Sequence, residues 1–415
     1  MGLLSLKALS PQIKQYLLIT GNYWAFTLTD GALRMLVVLY FHQLGYSPLN
    51  IAMLFLFYEI FGVITNLVGG WLGARLGLNK TMNIGLAIQI IALGMLAVPA
   101  EMLTVIYVMA AQALSGIAKD LNKMSAKSSI KLLVPEGAEG KLYQWVAILT
   151  GSKNALKGVG FFLGGLLLTL LEFKGAIILM ASLLAIVWIF SLVALKDDLG
   201  KATNKPKFND IFSKSSSINI LSAARMFLFG ARDVWFVVAL PVFLAVTFNW
   251  DHWWVGGFMA SWVIGYGIVQ SVAPIITGKG TREKQGKVPT GRSAFLWASY
   301  LTLIPAVIAL ALHFNFHIQA SIIIGLLIFG AVFAINSSLH SYLIVSYAGS
   351  DGVSLDVGFY YMANAMGRLI GTVLSGWVYQ NYGLEACLWI SSIFVAMASL
   401  LSLKLPKNHS SAIAN

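Results

Sequence analysis

Residues 177–195 and 386–403 each run without a single charged side chain. A helix needs about 20 mostly apolar residues to cross the hydrocarbon of a bilayer. Both runs approach that length. Both are also too continuously apolar for the strands of a membrane barrel, which alternate apolar and polar positions. A spanning backbone must satisfy its own hydrogen bonds, so these runs predict transmembrane helices.

Composition extends the argument to the whole chain. Of 415 residues, 58% are hydrophobic and only 11% charged, against about 25% charged in soluble domains. Such a chain cannot supply the polar skin that a soluble protein needs. Apolar segments predict twelve spans, at approximately 16–42, 49–74, 81–99, 102–128, 142–171, 175–196, 218–248, 253–277, 293–313, 317–345, 357–380 and 384–404. The expected fold class is an all-α membrane protein with two six-helix halves. The longest polar interruption, residues 196–217 (KDDLGKATNKPKFNDIFSKSSS), reads as a solvated linker dividing a half at 1–195 from a half at 218–415. The single cysteine, Cys387, permits no intrachain disulfide. No cleavable signal peptide is evident, and the first span is expected to direct its own insertion.

Orientation follows from the basic residues. With the N-terminus inside, the inner segments hold Lys7, Lys14, Arg75, Lys80, Lys131, Lys141, Lys196, Lys201, Lys205, Lys207, Lys214, Lys279, Arg282, Lys284, Lys287, Arg292, Lys404 and Lys407. The outer segments hold only Lys174. The positive-inside rule then predicts cytoplasmic termini in an inner membrane. The net charge of +12 reflects this topology and anionic lipid rather than a nucleic-acid partner.

Nine of the 28 basic residues remain, and they fall inside the spans: Arg34, Lys119, Lys123, Lys127, Lys153, Lys157, Arg225, Arg232 and Arg368. Four embedded acids oppose them: Asp30, Glu59, Asp120 and Asp233. A cation at a helix centre costs about 2.5–3.5 kcal/mol even on the lenient insertion scale. The surplus calls for a wet cavity and an anionic substrate. Arg34, Lys153, Lys157, Arg232 and Arg368 lie near span middles and are the expected substrate contacts. Arg225 sits about two turns nearer the cytoplasm. Lys119, Lys123 and Lys127 recur every four residues and share a face. Lys119 is the deepest of the three, and the other two read as snorkelling lysines.

Asp30 and Arg34 are spaced to touch on one helix. Arg232 and Asp233 are adjacent, point in different directions, and are expected to pair only across helices. Neutralisation is the first role expected of Asp30, Asp120 and Asp233. Any embedded carboxyl can alternatively carry a proton, and Glu59, with no local partner in sequence, is the first candidate. Tyr23, Asn154 and Tyr361 are expected to hydrogen-bond an oxyanion, alongside Asn22, Trp24, Tyr360, Asn364 and the polar run Asn336, Ser337, Ser338 and His340. Interhelical bonding accounts for such groups equally well. Gly160 and Gly164 read first as close-packing positions. No Walker A loop, HExxH or paired CxxC occurs, so no cofactor or metal is expected.

Twelve spans split by a basic linker resemble the major facilitator superfamily. The loop GWLGARLGLNK at 70–80 is similar to its signature, with Gly70, Arg75 and Gly77 matching and Ala74 standing where an acid is usual. Gly151, Gly160 and Gly164 resemble its antiporter glycine motif, with Gly165 in place of proline. In that fold spans 3, 6, 9 and 12 stand outside the cavity, and none of the embedded charges listed above falls on them. Arg34 and Arg232, on spans 1 and 7, resemble the arginine pair of organic-phosphate exchangers.

Residues 21–48, 55–79, 111–135 and 148–165 further resemble the bacterial organoarsenical efflux permeases of the ArsJ family. That resemblance implies export of 1-arseno-3-phosphoglycerate, made by glyceraldehyde-3-phosphate dehydrogenase when arsenate replaces phosphate. It also implies functional pairing with that dehydrogenase. On this reading Arg34 and Arg232 hold one oxyanion, and Lys153, Lys157 and Arg368 the other, in a monomeric carrier working by alternating access. An organic-phosphate exchanger of the same fold, a membrane enzyme acting on a phosphorylated substrate, and a channel remain alternatives.

Overall fold

The computed structural model describes residues 10–46, 54–195, 199–203, 206–212, 214–279 and 288–406. Of the inner-segment cations, Lys7, Lys196, Lys205, Arg282, Lys284, Lys287 and Lys407 lie outside these residues, as do positions 49–53 of the second expected span. Among the described residues the structure is α-helical, with short 3-10 turns and no strand.

The helices are α1 (Pro11–Gln43), α2 (Leu56–Leu76), α3 (Leu78–Leu96), α4 (Val105–Leu133), α5 (Glu139–Ala194) and α6 (Ser216–Phe236). They continue with α7 (Ala239–Thr247), α8 (His252–Ile276), α9 (Gly291–His313), α10 (Ile318–Tyr347) and α11 (Val353–Ser402). Short polar side chains start several of them by accepting a bond from an otherwise orphaned backbone N–H. Ser10 caps α1, Thr104 caps α4 and Asp251 caps α8, the last at 2.9 Å from the Trp254 N–H.

Among the described residues, seven stretches are long and apolar enough to cross a membrane: α1, α5, Ser216–Thr247, Trp254–Ile276, α9, α10 and α11. α5 has 56 residues and would measure about 84 Å as one straight rod, far more than the hydrocarbon thickness of about 30 Å. It breaks at Glu172, which takes φ 57°. α11 breaks at Gly383, with φ 77°, where the missing Cβ removes the penalty for a left-handed backbone. These breaks coincide with the expected ends of spans 5 and 11. The expected span 7, by contrast, divides into α6 and α7. The N–H groups freed at Val238 and Ala239 both donate to Ser375 Oγ, at 3.2 and 3.1 Å. A break inside hydrocarbon is tolerated when a neighbouring side chain re-satisfies the backbone in this way.

The chain forms two compact units. Unit 1 comprises residues 1–138, 156–212 and 349–359, and unit 2 comprises 139–155, 213–348 and 360–415. In unit 1, α3 and α4 pack closely. The crossing of α1 with α5 depends on glycine: a Cβ on Gly160 would lie 2.9 Å from the Leu28 carbonyl oxygen and 3.1 Å from Gly31 Cα. Gly164 meets the Ala32 carbonyl in the same way, as expected for small residues at helix contacts. Part of the linker is docked rather than solvated. Leu78 N–H donates to the Leu199 carbonyl at 2.7 Å, Ala202 N–H to the Ala74 carbonyl at 2.8 Å, and Thr203 N–H to Asp351 Oδ1 at 2.9 Å.

Unit 2 is built around aromatic side chains. Trp235, Trp262, Tyr266, Phe329 and Phe333 are buried together, and Trp262 Nε1–H donates to the Leu326 carbonyl at 2.9 Å. The outward faces carry large apolar residues, such as Ile186 and Phe190 on α5 and Leu303 and Val307 on α9, each about 60% exposed. These faces suit lipid contact rather than water.

Candidate anion-binding site

The first cationic set is in unit 1. Crossing at Gly31 and Gly160 brings the α5 backbone against α1, so Lys157 Nζ reaches Asp30 Oδ2 at 3.8 Å. Tyr58 of α2 donates its hydroxyl to Asp30 Oδ1 at 2.8 Å. The Tyr58 ring in turn faces two cations, Lys119 Nζ at 3.8 Å and the Arg34 guanidinium at 4.7 Å from its centroid. A ring quadrupole attracts a desolvated cation placed this way. Arg34 also reaches Glu59 Oε1 at 3.3 Å.

Several sequence expectations change here. Glu59 has a partner, because the long arginine side chain spans from α1 to α2. Asp30, expected to touch Arg34, is bound by Tyr58 and Lys157. Lys123 pairs with Asp120 at 2.7 Å, and Lys127 is only 5% exposed. These two lysines are therefore held inside the protein rather than snorkelling, because α2 and α3 pack over α4.

The second set is in unit 2 and centres on Asp233, which is fully buried on α6. Its Oδ1 accepts from Arg232 Nε at 2.5 Å and its Oδ2 from Arg368 Nε of α11 at 3.1 Å. The expectation that Arg232 and Asp233 pair only across helices is corrected: the arginine stem folds back along α6 to its own neighbour, while Arg368 supplies the cross-helix bond. Close approach of α6 and α11 at Gly230, Gly367 and Gly371 makes that bond possible. Arg368, expected alongside the lysines, thus stands with Arg232. Both side chains remain partly exposed, 15% for Arg232 and 32% for Arg368.

Arg225 lies two helical turns before Arg232 and is 2% exposed. Its Nε donates to Asn364 Oδ1 at 2.9 Å and its Nη1 to Ser337 Oγ at 3.2 Å, while Phe229 covers its face at 3.8 Å. Ser337 is a hub. It also accepts from Tyr266 at 2.9 Å and Gln270 at 3.1 Å, and Gln270 accepts from Asn154 at 2.6 Å. Lys153 donates to Asn154 at 3.3 Å. Tyr361 is buried beside Tyr360 on α11, and Tyr23 is buried two turns before Asp30 on α1. Sequence reasoning missed Tyr266 and Gln270. An amide inside the otherwise apolar α8 is the signal that would have marked Gln270.

Within unit 1 the embedded set is Arg34, Lys119, Lys123, Lys127 and Lys157 against Asp30, Glu59 and Asp120. Within unit 2 it is Lys153, Arg225, Arg232 and Arg368 against Asp233 alone. The carboxylates hold the cations in fixed geometry, and each unit keeps a positive remainder. Guanidinium groups present a planar fork suited to carboxylate or phosphate oxygens.

A family model described as Major Facilitator Superfamily matches residues 19–355. The chain belongs to the major facilitator superfamily. Its fold is that of solved superfamily structures at low identity. The human organic anion transporter MFSD10 (TETRAN) superposes with a TM-score of 0.73 at 15% identity, covering 95% of this chain and all of the other. The E. coli fucose:proton symporter FucP gives 0.71 at 12%, covering 95% and 99%. A bacterial homologue of the iron transporter ferroportin gives 0.71 at 13%, again covering 95% and 99%. No curated protein sequence matches. Superfamily membership and the long apolar helices make this a multi-pass membrane protein. At the superfamily signature loop, Gly70 leaves no room for a Cβ against the Ser354 carbonyl, and Ser354 Oγ donates to the Gly70 carbonyl at 2.7 Å. Arg75 lies over the Trp71 ring at 5.1 Å, and the buried Ala74 binds the linker through its carbonyl.

Proposed function

We propose that this protein is a secondary transporter that exports an organic oxyanion across a bacterial inner membrane, with both termini in the cytoplasm. The substrate proposed is 1-arseno-3-phosphoglycerate, supplied by glyceraldehyde-3-phosphate dehydrogenase, so that export confers arsenate resistance. The observation that carries the anion is two partly exposed arginines, Arg232 and Arg368, fixed on one buried carboxylate that balances only one of their charges. A phosphate monoester carries about −1.5 to −2 charges at neutral pH, and the arsenate end adds more. Arg34, Lys119 and Lys157 form a second set able to receive an oxyanion. The arsenical rests on the resemblance of residues 21–48, 55–79, 111–135 and 148–165 to the organoarsenical permeases. An inside-negative potential assists the exit of anions by about 2.3 kcal/mol per charge per 100 mV.

Uptake into everted vesicles tests the proposal. Vesicles containing the protein should accumulate arsenate-derived product only when glyceraldehyde 3-phosphate, arsenate, NAD and the dehydrogenase are present together. Equal uptake of glycerol 3-phosphate would instead mark an organic-phosphate exchanger, and a chemically altered substrate would mark an enzyme.

A further inference from the structure

Each embedded carboxylate already bonds a cation, so none is a vacant proton acceptor: Asp30 with Lys157, Glu59 with Arg34, Asp120 with Lys123, and Asp233 with two arginines. One embedded titratable side chain stands apart. His340 of α10 is fully buried, and among the described residues neither ring nitrogen has a hydrogen-bond partner. A buried imidazole with both nitrogens unmet is costly, because donor and acceptor each forfeit their bonds to water.

Its surroundings are cationic and neutral. His340 is three residues from Ser337, hence on the same face of α10, and Ser337 binds Arg225. A hydrogen bond to Ser337 brings Tyr266 of α8 to this layer, and a ring contact with Arg225 brings Tyr360 of α11. α9 contributes a carbonyl, that of Trp297, to Asn336. A carboxylate does reach α10, Glu139 at 3.0 Å from the Tyr342 hydroxyl. Tyr342 is two residues on, about 200° around the helix. Among the described residues, Ser222 Oγ one turn before Arg225 on α6, Ser341 Oγ next to His340 in the chain, and Tyr360 Oη, whose ring faces Arg225 at 5.3 Å, are likewise buried without partners. The layer thus holds a guanidinium with neutral partners, a bare imidazole and several unmet hydroxyls.

We propose that His340 is a proton site that fills together with the anion, so that the carrier moves a proton and its anionic substrate in the same direction. The argument is one of linkage. With the layer closed and no anion present, Arg225 disfavours a second positive charge on the ring. When the layer opens, an oxyanion that takes Arg225 from Ser337 and Asn364 cancels that field and accepts a bond from the imidazolium, so anion binding raises the proton affinity of His340, and the reverse. The carboxylates act with the same sign: an anion that takes Arg34 leaves Glu59 without its cation. Exchange of a proton against the anion would need a group whose protonation opposes anion binding, and the cationic sets offer none among the described residues. The net-negative complex still leaves down an inside-negative potential.

The inference rests on the anion-carrier reading, and calorimetry separates the two. The full-length protein is titrated with 3-phosphoglycerate in two buffers of different ionisation enthalpy, beside His340→Gln and His340→Asn. Wild type should take up more protons per anion bound than either variant, and its Kd should weaken with rising pH more steeply than theirs, by up to about tenfold per pH unit. Both variants should bind more weakly than wild type at low pH and approach it at high pH. Binding with equal proton uptake in all three proteins overturns the assignment of His340 alone. Binding accompanied by proton release overturns the shared direction. No saturable binding by any of the three overturns the anion-carrier reading and this inference with it.

Discussion

Arg368 of α11 donates its Nε to Asp233 of α6 at 3.1 Å, and the other oxygen of that fully buried carboxylate is held by Arg232. One anion therefore fixes two cations from two helices. The cluster carries net positive charge while both arginine side chains stay partly exposed. This is the local arrangement from which anion binding follows.

Removing the shared carboxylate tests its structural part. Asp233→Asn leaves two close guanidiniums uncompensated, and losing one member of a buried ion pair costs about 3–5 kcal/mol. The variant should unfold in detergent at a clearly lower temperature than wild type. Added inorganic phosphate should restore more stability to the variant than it adds to wild type, since an anion that binds only the folded state stabilises it by mass action. Thermal scans with and without phosphate read both effects.

Charge alone should not replace geometry at Arg368. Arg368→Lys keeps the cation but loses the planar fork that can hold Asp233 and a second oxyanion together. A charge-assisted hydrogen bond is worth about 1.5–3 kcal/mol, so vesicle uptake should fall by roughly tenfold or more. Arg368→Ala should fall at least as far.

Glu59 separates a neutralising from a proton-carrying role. It bonds Arg34 at 3.3 Å in a partly exposed pair. Glu59→Gln should retain uptake and lower the half-saturating substrate concentration, because it releases Arg34 for the substrate. Complete loss of uptake in a well-inserted variant would assign Glu59 an obligatory part in the cycle.

Packing at the α1–α5 crossing sets the position of Lys157. A Cβ at Gly31 would lie 2.8 Å from the Lys157 carbonyl oxygen, so Gly31→Leu forces the helices apart. Overpacking of this kind costs about 1–3 kcal/mol. Reduced thermal stability and loss of the Lys157–Asp30 contact are the expected outcomes, checked by thermal scans and by cross-linking of cysteines placed at those positions.

Much of this was legible in the sequence, because hydrocarbon allows few solutions. Uncharged runs at 177–195 and 386–403 could only be spanning helices, and the break at Glu172 falls beside the acid and lysine that punctuate residues 172–174. Embedded charges announced themselves by their cost. Their partners did not. Whether Arg232 folds back to Asp233 or reaches across depends on rotamers set by α11. The pairing of Glu59 with Arg34 depends on how α1 and α2 pack, which periodicity does not encode. By depth Arg225 is peripheral, yet packing buries it more fully than Arg34, Arg232 or Arg368. The docking of residues 199–203 was hidden because a polar linker composition says nothing about which backbone groups it can satisfy.

Equilibrium binding of a radiolabelled phosphate monoester to the purified protein tests the anion account most directly. Wild type should bind saturably and more weakly as ionic strength rises, while Arg232→Ala and Arg368→Ala, shown to be folded by their thermal transitions, should each lose at least about tenfold in affinity. Undiminished affinity in both folded variants would contradict the account.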